Sequence, residues 1–282
     1  MNQQRTRELG DGLSASLRRL ALRHDVPSGW TRCSAALSDL DEWRTRLSGW
    51  LLREFDEAPS RTADAYLVAW YLHVPAQVGA QLLHHERRVP SLRPEDLAFH
   101  LGDGQPYPDG LAVLGTGFCC LPTDPASATS GATTVRDERA LAAVLRARYT
   151  AHAARFVQAY GPLSRFGPRT LWAAATDALE NALWSAGREG GTPSAEGAGM
   201  ADAALVLDAR YPPLTSASTL RLVERQWTRR RQNCCFSYLL PGEQECDGCP
   251  RTAQRGQAGS RPAAPSARCS GNASPDTSTA GP

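Results

Sequence analysis

The sequence predicts a mainly α (α+β) protein: a helical body, a small antiparallel β element, and a C-terminal segment organised by cysteine. Three observations carry this. Apolar residues recur at helical spacing through several long stretches. Two short apolar runs flank a Gly/Pro-rich stretch within residues 95–120. Four of the eight cysteines fall between Cys234 and Cys249. The chain divides accordingly into a helical body over 1–210, a cysteine segment over 211–250, and a tail over 251–282.

In chain order, residues 8–24 read as an amphipathic helix with Leu13, Leu17 and Leu20 on one stripe. A second helix runs from about Asp39 to Phe55, with Ser38 as its N-cap and Leu40, Trp43, Leu47 and Trp50 as its buried face. A third spans about Arg61 to Arg88. Its stretch Ala65–Leu83 contains no Asp, Glu, Lys or Arg and approaches the length of a bilayer span. His73, Gln77 and Gln81 within it favour a buried helix, kinked or broken near Pro75.

The short apolar runs at 97–101 and 111–114 predict a β-hairpin, and residues 122–135 a surface loop. Helices return at about 137–160, with Leu141, Val144, Leu145, Tyr149, Ala153 and Phe156 on one stripe, and from about Pro168 to Gly187, with Leu171, Ala175, Leu179 and Leu183. Residues 187–199 read as a flexible connector before a short helix at 200–207. Residues 251–282 hold almost no large apolar side chains and predict disorder.

Composition excludes more than it assigns. The 31 basic and 29 acidic residues leave a formal charge of +2, with no global drive toward nucleic acid. All 31 basic residues are Arg; Lys and Ile are absent, a pattern read as codon bias. The N-terminus shows no apolar signal-peptide core, which predicts a cytoplasmic protein without a membrane span. In that setting, cysteines point to metal or redox chemistry before disulfides.

Cys234, Cys235, Cys246 and Cys249 form the pattern C-C, ten residues, C-x-x-C. Four thiolates at this spacing suit a soft metal or an iron–sulfur cluster. The C-x-x-C pair, with Gly248 in its turn, brings two sulfurs to one centre. Adjacent Cys234 and Cys235 diverge on an extended backbone, so they serve two irons more naturally than one ion. Arg221, Arg225, Arg229, Arg230 and Arg231 precede them and would favour a reduced, more negative cluster. Phe236, Tyr238, Leu239 and Leu240 can wall the site from water, and Pro241-Gly242 supplies a return turn. The bland alternative is a zinc-stapled structural or binding module without redox activity.

The stretch Arg229–Pro250 resembles the signature of the FhuF-type ferric-siderophore reductases. Arg229-Arg230-Arg231, Cys234-Cys235, Phe236-Ser237-Tyr238, Leu240-Pro241-Gly242, Cys246 and Cys249-Pro250 all stand where that family has Arg residues, the paired cysteines, an aromatic strand, the turn and the C-x-x-C. The resemblance implies a [2Fe–2S] cluster on Cys234, Cys235, Cys246 and Cys249. It implies a ferric siderophore as substrate and release of Fe(II) in the cytoplasm. No nucleotide or flavin fingerprint is present, so electrons would come from a ferredoxin, flavodoxin or flavin reductase. A siderophore-biosynthetic ligase on a related fold would need an ATP site that the sequence does not show.

Other candidates carry less. Cys119-Cys120 and Cys33 read as packed thiols, and Cys269 has no assigned role. Gly115-Thr116-Gly117 lacks the third glycine and helix of a dinucleotide loop. His84-His85 sit at a helix C-terminus, where they suit the dipole, and His100 and His152 have no spaced metal partners.

Overall fold

A computed structural model describes residues 20–22 and 25–255 of the chain, apart from Arg225 and Asp247. In order these form β1 (Leu20–Leu22), β2 (Thr31–Arg32), α1 (Cys33–Ala36), α2 (Leu40–Phe55), α3 (Ser60–Glu86), β3 (Arg88–Pro90), β4 (Leu97–Leu101), β5 (Pro108–Val113), β6 (Phe118–Cys120) and β7 (Ala132–Thr134). They continue with α4 (Glu138–Tyr160), α5 (Pro168–Arg188), α6 (Pro193–Val206), β8 (Arg221–Val223), β9 (Gln226–Thr228) and α7 (Pro250–Arg255). The fold is mainly α with small sheets, as the sequence predicts.

Helix α3 is the axis. It is apolar on every side, so it is buried on every side: Leu67, Val68, Leu72, Val74, Val78 and Leu83 all lie in the core. The helix runs continuously through Pro75 instead of breaking there. Pro75 removes one backbone donor, and the packing around α3 holds the helix together across the gap. Among the described residues no helix is long and apolar enough to cross a membrane.

Around this axis α2, α4, α5 and α6 pack where side-chain volume permits. A Cβ on Gly79 would stand 2.5 Å from Leu145 Cδ1, so the missing side chain sets the closeness of α3 and α4. Gly187 and Gly199 do the same for α5 and α6, since a Cβ on Gly187 would lie 2.7 Å from Gly199 Cα. That contact corrects the expected flexible connector at 187–199. Thr192 caps α6 through Ala195 N at 3.1 Å, Pro193 opens its first turn, and Gly187 and Gly199 serve the packing of the two helices.

The expected hairpin is present, β4 pairing antiparallel with β5 in a four-stranded sheet of order β1-β5-β4-β2. Leu20–Leu22 belong to this sheet, parallel to Leu111–Val113, and not to a helix. The rest of the helix expected at 8–24 lies outside the described residues, as does the tail beyond Arg255. A second sheet of order β3-β6-β7 takes up the end of the expected 122–135 loop as β7. Helix α2 buries Leu40, Trp43, Leu47 and Trp50 as expected, although its N-cap is Asp39 and not Ser38.

Candidate metal centre

The cysteine segment is fastened to one face of α5. Thr176 Oγ1 accepts a hydrogen bond from Thr215 N at 2.9 Å. Glu180 accepts from Thr219 N and from the Thr219 hydroxyl, the latter at 2.8 Å. Asp177 accepts from Gln232 N at 2.8 and 2.9 Å and from Asn233 N at 2.8 Å. Glu180 stands i+4 from Thr176 and i+3 from Asp177, so a single strip of α5 satisfies four backbone donors of the chain leading to Cys234. Arg229 Nη1 donates to the Asp177 carbonyl at 2.8 Å. Burial pushes the Asp177 carboxyl up, against Arg229, Arg231 and the two backbone amides, which pull it down. Burial likewise lowers the Arg229 pKa.

From Asn233 the backbone turns tightly. Phe236 adopts the left-handed conformation, with φ 58°, and Ser237–Leu239 form a 3-10 turn where the sequence suggested a strand. The Phe236 carbonyl accepts from Thr62 Oγ1 at 2.9 Å, and its ring stacks on Phe166 at 5.7 Å. Pro241-Gly242 then reverses the chain, with Glu243 N donating to Leu240 O at 3.1 Å and Gly242 at φ 77°. Gly248 closes the second turn at φ 68°, and a Cβ there would collide with the Arg229 carbonyl.

These turns bring the four sulfurs together in pairs. Cys235 Sγ and Cys246 Sγ are 3.4 Å apart, and Cys234 is hydrogen-bonded to Cys249. Adjacent Cys234 and Cys235 diverge, and each meets one member of the C-x-x-C. Among the described residues no three Cys, His, Asp or Glu side chains gather as a single-ion site. Cys235, Cys246 and Cys249 are 7%, 6% and 2% exposed, and Cys234 is half-buried, so the site opens on the Cys234 side. Leu47, Trp50, Leu51, Ala63, Tyr66 and Leu240 wall the rest.

Donors surround the sulfurs. Arg231 Nη1 donates to Cys246 Sγ at 3.0 Å and Phe236 N to Cys234 Sγ at 3.4 Å, while the Ser237 hydroxyl lies 3.1 Å from Cys235 Sγ. Burial, together with the neighbouring Cys249 and Cys235 thiols, pushes Cys234 up to about 11. A free Cys234 thiol therefore stays protonated at neutral pH, and a bound cationic centre would hold it as a thiolate. Four soft sulfur donors in two pairs, largely dry, with N–H groups aimed at sulfur, fit a two-iron cluster.

Residues 231–251 match the family model described as the FhuF 2Fe-2S C-terminal domain. These 21 of the 282 residues are similar to an FhuF-type 2Fe–2S segment. No curated protein and no solved structure matches the chain. Among the described arginines that precede Cys234, Arg231 reaches a sulfur, Arg229 turns toward α5, and Arg221 and Arg230 are exposed.

The remaining candidates lie elsewhere. Cys119 and Cys120 are buried in β6, with Cys119 Sγ accepting from Arg148 at 3.2 Å, and Cys33 is fully buried in the main core. Cys269 lies outside the described residues. His84 pairs with Asp202 at 2.6 Å and His100 with Asp109 at 2.7 Å. His152 bridges the Leu92 carbonyl at 2.6 Å and the Tyr71 hydroxyl at 3.0 Å. Sequence reasoning missed Thr176, Asp177 and Glu180. Their signal was present: Thr176 and Asp177 between Ala175 and Leu179, and Glu180 just after, interrupt an otherwise apolar stretch of helix.

Proposed function

We propose that Cys234, Cys235, Cys246 and Cys249 ligate the 2Fe–2S cluster, and that the protein is a cytoplasmic ferric-siderophore reductase. When bound, the cluster supplies one-electron transfer to the ferric ion of the chelate, and the weaker hold of hard oxygen ligands on Fe(II) releases the metal. The observation that carries this reading is the pairing of the sulfurs inside the segment that matches the 2Fe–2S domain. Pairwise approach suits two irons better than one zinc ion.

The protein's own residues hold and tune the site. Asp177 fixes the entry of the chain to Cys234, and Gly248 allows the turn to Cys249. Arg231 places a positive charge on Cys246, which favours the more negative, reduced state and so raises the potential. Trp50, Tyr66 and Leu240 keep water from the buried sulfurs. The electron arrives from an external donor, a ferredoxin, flavodoxin or flavin reductase.

The test is direct. Anaerobic, chemically reduced protein is mixed with a ferric siderophore and a ferrous-specific chelator. Ferrous chelate should form in proportion to protein oxidised, and Cys246→Ser should abolish it. Ferrous iron no higher than in a protein-free control contradicts the reading.

A further inference from the structure

Beside the cysteine segment, between the β8–β9 hairpin and the strand of chain at 216–219, lies a cleft of about 690 Å³. That is a small-molecule volume. Arg221, Arg229, Arg230, Ser218, Thr228 and Gln232 line it. Among the described residues, none that lines it is acidic. Among the described residues, Arg221, Arg229 and Arg230 make no ion pair with a carboxylate: Arg221 donates to the Ser218 and Leu220 carbonyls and Arg229 to that of Asp177. The nearby carboxylates of Asp177 and Glu180 are occupied by backbone amides and Thr219. Ser216 also borders the cleft, and its Oγ is buried with no hydrogen-bond partner. The exposed guanidinium groups of Arg221 and Arg230, which face no carboxylate, and a ring of hydroxyls form a receptor for a ligand rich in anionic oxygen, while the Arg229 charge is shared with Asp177 and Glu180.

The cleft also adjoins the metal centre. Gln232 lines it two residues before Cys234, and Arg230 lines it next to Arg231, whose guanidinium touches Cys246 Sγ.

We infer that this cleft is the substrate subsite, and that it selects ferric chelates of net negative charge. The inference rests on the reductase reading above and adds the place and the charge of the substrate. The volume of this open groove accommodates a chelate, and docking of an acidic carrier protein is the competing outcome of the test below.

Gallium(III) chelates bind without being reduced, so binding separates from turnover. The full-length protein is titrated calorimetrically with a triply anionic gallium tris-catecholate and with a singly cationic gallium trihydroxamate of similar size. The anionic chelate should bind at least about tenfold tighter, and the preference should shrink as salt rises. The exposed double substitution Arg221→Gln/Arg230→Gln should weaken the anionic chelate about tenfold and leave the cationic one unchanged. An unchanged urea midpoint checks that the variant folds. Equal affinity for both chelates, or no loss in the variant, overturns the inference. So does a variant whose only defect is slower reduction by an acidic carrier protein, which would make the arginines a docking face. Charge-selective binding without ferric reduction would instead sink the reductase reading and leave the subsite standing.

Discussion

Replacing Asp177 tests how the metal centre is held. Its carboxylate accepts from Gln232 N and Asn233 N at 2.8–2.9 Å while buried against Arg229. Asp177→Ala strands both amides in a dry site, at about 1–3 kcal/mol each, and leaves the Arg229 charge without its neighbour. The combined loss should reach about 2–6 kcal/mol. Asp177→Asn behaves differently. Both amides lie within reach of Oδ2, so an amide oxygen at that position keeps both bonds and gives up only the charge assistance, about 1–2 kcal/mol. The assay is urea unfolding of the anaerobic protein, followed by far-UV signal and by the visible absorbance of the cluster. The alanine variant should lose cluster absorbance at lower urea than the asparagine variant, and both at lower urea than wild type. An alanine variant within about 0.5 kcal/mol of wild type, with normal absorbance, would refute the anchoring role.

Gly248→Ala should lower iron and acid-labile sulfide per chain, because the position combines φ 68° with contact to the Arg229 carbonyl; metal analysis after anaerobic purification checks this. Arg231→Gln removes the charge on Cys246 Sγ, so the midpoint potential should fall by on the order of tens of millivolts in a redox titration. Burial lowers His152 from 6.5 to about 4, and the contact with the Leu92 carbonyl keeps the proton on Nδ1 of a neutral ring. The unfolded chain therefore takes up this proton first as pH falls. Stability should be full above about pH 6.5 and drop by about 3 kcal/mol on approach to pH 4, a slope that His152→Phe should flatten in pH-dependent denaturation.

The parts legible in the sequence share a property: each is fixed by neighbours close in the chain. The apolar stripe Leu40, Trp43, Leu47 and Trp50 follows from helical period alone, and the C-x-x-C turn from Gly248. What escaped the sequence depends on distant partners. Leu20–Leu22 become a strand because Leu111–Val113 offer an open edge about ninety residues away. The glycine-rich start of α6 looks like a linker until Gly187 is set against Gly199. Phe236 takes a strained left-handed backbone because Thr62 and Phe166 hold its carbonyl and its ring. The four cysteines were legible as a set; their pairing, Cys235 with Cys246 and Cys234 with Cys249, required the turns around them.

The central claim is that these sulfurs hold two irons that carry one electron. Electron paramagnetic resonance of anaerobically purified, dithionite-reduced protein tests it most directly. The account expects a reddish-brown protein, silent when oxidised, that gives a spin-half signal of about one unpaired electron per chain on reduction and loses it in Cys235→Ser. A colourless protein carrying zinc, with no signal after reduction even following reconstitution with iron and sulfide, would contradict it.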